Sequence, residues 1–195
     1  MKKFYGWLLK NNAVLSDPTD QLQLKPPRSR LGTILTHQEI EAIMSQPNLR
    51  TVAGLRNRTM LETFYATGIR RRELINVRLV DVNLQTQILF IKQGKGKKDR
   101  VVPIGDRGCS WLKRYLGSAR PYLIKGYDPG YLFLTHWGGP FKPDSVGDMV
   151  RDYMVESGIT KRGSCHLFRR TMATGMLENG ADIRYVQAIL GHNEL

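Results

Sequence analysis

The chain has 195 residues, 41% of them apolar, which is enough for a packed core and argues against a disordered protein. Thirty Lys and Arg against 17 Asp and Glu leave a net charge of +13, so a polyanion is the expected partner. No apolar run approaches the roughly 20 residues of a membrane span, and the basic opening MKKFYGWLLKNN is too short and too broken at Gly6 for a signal peptide.

Residues 4 to 15 carry apolar side chains at helical spacing and predict an amphipathic helix. It gives way to SDPTDQLQLKPPRSRLG, which holds three prolines, lacks periodicity and reads as a linker. A lone short helix is marginal by itself. Residues 1–16 are therefore expected to be the last helix of a preceding helical domain, 17–33 its linker, and 34–195 the main domain. Thr36 and Glu39 form a capping box that opens that domain. In QILFIKQGKGKKDRVVPI, residues 87 to 104, two β-rich runs flank a turn with Gly94 and Gly96, which predicts a hairpin tipped by Lys95, Lys97 and Lys98. Helices are then expected around Trp111 to Leu116, near Val146 to Glu156, from His166 to a stop at Asn179-Gly180, and from an Asp182 cap to a terminating Gly191. The fold class is mainly α with a small antiparallel β-sheet, α+β. Cys109 and Cys165 show no metal-ligand spacing, so free buried thiols in a reducing cytoplasm are expected.

The cations are unevenly spread. Between Arg70 and Arg107, ten basic residues stand against four acidic ones. Arg70, Arg71 and Arg72 follow the helix-ending Gly68 and sit at the start of another helix, where the macrodipole disfavours cations unless an anion comes to them. The lysine-rich hairpin lacks the spacing and the hydroxyl of a P-loop. It suits a lysine that reaches a phosphate or protonates a leaving oxygen. His166 and Arg169, three apart, share one helical face. No carboxylate cluster suggests a metal site, and no Ser-His-Asp arrangement stands out. Fixed cations with two histidines suit a phosphoryl transition state, whose equatorial oxygens two arginine forks can clamp.

ATGIRRREL, the GKGKKDRVVPI hairpin, the CHLFRRTMAT helix and ILGH, in that order, resemble the boxes of the tyrosine recombinase (phage integrase) family. The resemblance covers about residues 34 to 195, and the segment before it resembles the end of the family's core-binding domain and its linker. It implies the family's catalytic core and site-specific cutting and rejoining of double-stranded DNA through a 3′-phosphotyrosine, without metal, ATP or other cofactor. Arg70 and Arg169 resemble the two arginines that bind the scissile phosphate, and Lys95 the hairpin lysine that protonates the 5′-hydroxyl leaving group. His166 resembles the histidine that takes the nucleophile's proton, and His192 the residue that bonds a phosphate oxygen. Glu73 resembles the acid that orients the site from behind. Arg71, Arg72, Lys97, Lys98 and Arg100 are expected to contact DNA; Arg170 matches no catalytic position and is assigned to DNA or to structure. The resemblance also implies a cytoplasmic protein that is a homotetramer on DNA when full length, with this chain alone a monomer.

One element of the pattern is missing. The family's nucleophilic tyrosine follows the position of His192 by several residues, and the sequence ends at Leu195. Tyr65, Tyr153 and Tyr185 stand at helical spacing among apolar residues and read as packing. The expectation is a catalytic-domain fragment that holds the phosphate-binding residues, lacks the nucleophile and is itself inactive. The alternative is a DNA-binding module that does not cleave. A type IB topoisomerase shares the chemistry but fits the upstream helix and linker less well.

Overall fold

The computed structural model describes residues 2–20, 33–92 and 99–191. The chain forms two compact units, residues 1–32 and 33–195. In the first, α1 (Lys2–Lys10) is shorter than its sequence pattern suggests. Asn12 takes a left-handed φ of 54°, the conformation that ends helices, while Asn11 Nδ2 donates back to Trp7 O at 2.8 Å. Phe4 and Trp7 on this helix are exposed.

The second unit opens with α2 (His37–Ser45), capped as expected. Thr36 Oγ1 accepts from the Glu39 N–H at 3.2 Å, and Glu39 Oε2 accepts from the Thr36 N–H at 2.6 Å. Next comes α3 (Val52–Thr67), the centre of the unit, with α2, α5, α6 and α8 packed on it. From Gly54 onward none of its residues is fully exposed, which removes the one-sided apolar stripe that sequence periodicity relies on. Its buried hydroxyls are satisfied within the helix: Thr59, Thr63 and Thr67 each donate to the carbonyl four residues back. The buried Glu62 carboxylate accepts from Arg58 and, through both oxygens, from Arg107.

After α4 (Arg71–Asn76) and a single 3-10 turn (Leu79–Asp81), the chain builds a three-stranded antiparallel sheet in the order β1 (Val82–Asn83), β2 (Ile88–Ile91), β3 (Arg100–Pro103). Leu89 pairs with Val102 and Phe90 with Val101. Leu89, Ile91 and Val102 are buried while Phe90 and Val101 face out, the period-two alternation of a sheet with one covered face. The expected hairpin is present; its tip, with Lys95, Lys97 and Lys98, lies outside the described residues.

The rest is helical: α5 (Gly105–Ser118), α6 (Arg120–Leu123), α7 (Pro143–Glu156), α8 (Cys165–Glu178) and α9 (Ile183–Leu190). Asp182 caps α9 by accepting from the Arg184 N–H, and Gly191 ends it in the left-handed conformation. Short α6, in a loop rich in Gly and Pro, is held by the buried Arg120, which pairs with both oxygens of Asp128 at 2.8 Å and donates to Tyr131 O and Leu132 O. Cys109 and Cys165 are free and buried. Burial pushes the Cys165 thiol up to about 11. Among the described residues, no helix is long and apolar enough to cross a membrane.

Candidate active site

Two helix ends and one strand end meet at the site. α3 terminates at Gly68, with φ 57° and ψ 22°, and α9 terminates at Gly191, with φ 62° and ψ 48°. A left-handed residue turns the chain sharply and leaves the last carbonyls of the helix pointing outward, unpaired within it. Arginines take up those carbonyls.

Arg70 stands at the N-cap of α4 in an extended conformation. Its Nη2 donates to Leu190 O at 3.2 Å and to Gly191 O at 3.1 Å, and its Nη1 to Glu73 Oε1 at 2.8 Å. Arg169 reaches the same place from α8, donating through Nη1 to Gly68 O and through Nη2 to Leu190 O. Leu190 O therefore receives both guanidinium groups, one from each half of the chain. Burial pushes the Arg169 guanidinium down to about 10, with the nearby Arg70 and Arg100 charges adding to the effect and Glu73 opposing it. It remains charged at neutral pH.

Glu73 binds this cationic group together. Its Oε2 accepts from the Arg70 N–H at 2.7 Å, and its two oxygens accept Arg100 Nη1 and Nη2 at 2.8 and 2.7 Å. Burial alone would raise its pKa, but the Arg100 fork, the Arg70 N–H and the Arg70 guanidinium outweigh that and hold it down to about 2. Arg100 also donates through Nε to Ile189 O at 2.8 Å, and its side chain is only 10% exposed. Arg100 is expected from the sequence to contact DNA, but its side chain turns inward onto Glu73 and Ile189 O. The strand alternation explains why, since Arg100 stands two residues before the buried Val102 and shares its face. That signal was available in the sequence.

His166 lies on the exposed face of α8. Arg72 is exposed, and Arg170 is exposed with its Nη1 donating to Thr33 O at 3.2 Å. Arg71 rests on α7, with Nη2 3.3 Å from Asp144 Oδ1. A Cβ at Gly147 would come within 2.6 Å of its Nη1, so the bare backbone there makes room for it. Lys95, Lys97, Lys98 and His192 fall outside the described residues. The structure thus brings Arg70, Glu73 and Arg169 together, and adds Arg100 and the carbonyls that end α3 and α9. No motif marks those carbonyls; only the glycines that end the two helices do.

Among the tyrosines, Tyr115 is fully buried and stacks on Phe133, Tyr153 Oη accepts from Asn57 Nδ2 at 2.9 Å, and Tyr65 is half-buried. Tyr185 on α9 is 71% exposed, so the packing role read from its spacing is not what the structure gives it. No three His, Cys, Asp or Glu side chains among the described residues come together to hold a metal ion.

The phage integrase family profile matches residues 33–195. Tyrosine recombinase XerC 2 of Ralstonia nicotianae is 46% identical over 196 residues, covering 100% of this chain and 56% of that protein. The chain thus spans a little over half the length of that curated relative. The crystal structure of XerA recombinase superposes with a TM-score of 0.73 at 28% identity, over 99% of this chain and 64% of that one. XerH site-specific recombinase, crystallised bound to its difH substrate before cleavage, shares the fold with a TM-score of 0.71 at 24% identity, over 83% of this chain and 47% of that one. With a profile match across the whole second unit and the two arginine boxes folded onto one carbonyl, this chain belongs to the phage integrase family.

Proposed function

We propose that this chain is the phosphate-binding part of a site-specific DNA recombinase that cuts and rejoins duplex DNA through a 3′-phosphotyrosine. The observation that carries the proposal is the meeting of Arg70 and Arg169 at Leu190 O. Two planar forks that meet at one oxygen form a clamp for the non-bridging oxygens of a phosphodiester, and fixed cations stabilise the charge of a pentavalent transition state. The guanidinium groups supply that charge themselves, so the reaction as proposed calls for neither metal nor ATP, and the phosphotyrosine conserves the bond energy.

Each remaining role follows the family resemblance. His166, exposed on the helix that carries Arg169, takes the nucleophile's proton. Lys95 protonates the 5′-oxygen as it leaves, and His192 bonds a phosphate oxygen. Arg71, Arg72, Lys97, Lys98 and Arg170 contact the DNA backbone, in keeping with the +13 charge. The full-length protein is a cytoplasmic homotetramer on DNA. None of the tyrosines in the 195 residues is the nucleophile. Tyr185 comes nearest to His192 along the chain and is 71% exposed, but it projects from the first turn of α9 rather than from beyond its terminating glycine.

Covalent trapping on a nicked suicide DNA substrate tests this reading. The chain is compared with a version extended past Leu195 by about twenty of the gene's next codons. An adduct with the longer protein alone supports the proposal, and its loss in Arg70→Ala and Arg169→Ala, with DNA binding largely kept, assigns the clamp. An adduct with the 195-residue chain makes an internal tyrosine the nucleophile. Binding without an adduct from either protein on a proper target site makes the chain a DNA-binding module that does not cleave.

A further inference from the structure

We propose that Arg100 is a positioning residue for the phosphate clamp: by gripping both oxygens of Glu73 and the last turn of α9 at once, it sets where Arg70 and Arg169 point. This rests on the reading of those two arginines as phosphate ligands. The case is geometric. Glu73 accepts four donors, two of them from Arg100. The third nitrogen of the same guanidinium holds Ile189 O, one residue before the carbonyl that receives both clamp arginines. Gly191 seats directly on the Arg100 stem, where an added Cβ would come 3.1 Å from Cδ and 3.2 Å from Nε. One flat fork therefore registers β3, α4 and the end of α9 against one another.

The consequences for the clamp follow from what Arg100 withholds from Arg70. Glu73 lies between the two arginines, and each bond Arg100 makes to it is a bond Arg70 does not monopolise. Without Arg100, the carboxylate closes on Arg70 and competes with an incoming phosphate, while the α9 turn loses the anchor that aims Leu190 O. Lysine does not replace the fork, because a single ammonium cannot span two carboxylate oxygens and a carbonyl in one plane. A role in stability alone is a weak account of this arrangement, since a buried ion pair is often no more stabilising than apolar residues of the same size. Among the described residues, the charged groups facing Glu73 are Arg70 from the start of α4, Arg100 from β3 and Arg169 from α8.

The experiment uses the 195-residue chain labelled with 15N-arginine and 13C-glutamate. The Nε–Hε signals of Arg70 and Arg169 are followed as inorganic phosphate is added, and the Glu73 carboxyl carbon is followed against pH. Arg100→Gln and Arg100→Lys are expected to weaken phosphate binding about tenfold and to move the Glu73 titration upward. Arg120→Gln is the control: it breaks a buried arginine–carboxylate pair of the same kind and should lower stability while leaving phosphate affinity unchanged. Phosphate binding by the Arg100 variants equal to wild type, or an equal loss in Arg120→Gln, overturns the proposal. If wild type itself shows no saturable phosphate shift, the clamp reading falls. The positioning claim, which rests on that reading, falls with it; where wild type does bind phosphate, an unmoved Glu73 titration in Arg100→Gln also refutes the claim. Should Arg100→Gln not fold, Arg100→Lys keeps the charge and carries both readouts.

Discussion

Replacing Glu73 by Gln removes the one carboxylate that binds Arg70 and Arg100 together, and the size and pH dependence of the effect can be worked out. The Glu73 side chain is 7% exposed, and its pKa is held at about 2 against an ordinary value of 4.5. A depressed carboxylate stabilises the fold above its unfolded value, and that contribution disappears as pH falls from 4.5 towards 2. At about 1.4 kcal/mol per unit, the whole contribution is about 3 kcal/mol at neutral pH, of which about 2 kcal/mol is gone by pH 3. The glutamine cannot titrate, and it leaves the buried cations without a counter-charge, a loss of about 3–5 kcal/mol in comparable cases. Urea unfolding of both proteins at pH 7 and pH 3 should show a gap of several kcal/mol at pH 7 that shrinks by about 2 kcal/mol at pH 3. A gap that stays constant over this range would show that Glu73 is not charged and paired in the folded protein, and the account of the arginine cluster would fail with it.

Gly68→Ala should cost about 1–3 kcal/mol in chemical denaturation, because its φ of 57° is strained for alanine and a Cβ would meet Met172 Cε at 1.9 Å. The Gly68 carbonyl that holds Arg169 moves with it, so phosphate affinity should fall as well. Thr36→Ala breaks the capping box of α2 and should cost about 1 kcal/mol with no change at the phosphate site; a change there would mean that the N-terminal edge of the unit is coupled to the clamp. DNA affinity should fall steeply with salt, each phosphate contact contributing a slope of about −0.9 in a plot of log affinity against log salt concentration. A flat plot would remove backbone phosphate as the main partner.

The parts of the fold that could be read from the sequence are those whose signals are local. The Thr36–Glu39 box, the Asp182 cap and the terminating Gly191 each rest on a hydrogen bond or a backbone conformation within a few residues, and each appears as expected. The hairpin was legible because its strands have one buried and one exposed face. By contrast, α1 ends early at a left-handed Asn12 that no periodicity forecasts. The central helix α3 is buried around most of its surface, so its polar Thr59, Glu62 and Thr63 conceal the helical pattern until their partners are known. At the site, arginines in family boxes were visible, but their acceptors were not. Main-chain carbonyls carry no residue-type signal, and Arg100 looked like surface charge because it closely follows Lys97 and Lys98 in the hairpin.

The placement of those acceptors explains how three arginines are held together in one small volume. Arg70, Arg100 and Arg169 would repel one another in a small buried volume with one carboxylate between them. A helix C-terminus carries about half a negative charge in its free carbonyls, and two helices end here, α3 at Gly68 O and α9 at Ile189 O, Leu190 O and Gly191 O. Together with Glu73 they offset most of the three positive charges while leaving the cluster net cationic. These dipoles are fixed by the backbone and do not follow the guanidinium groups when a phosphate arrives. Glu73 is a full charge on a side chain and can follow them. A mobile carboxylate would satisfy the arginines as well in the free protein and then hold them back from the anion. Arg100 ties the carboxylate down from its far side and, through Ile189 O, anchors the turn that carries the carbonyls as well.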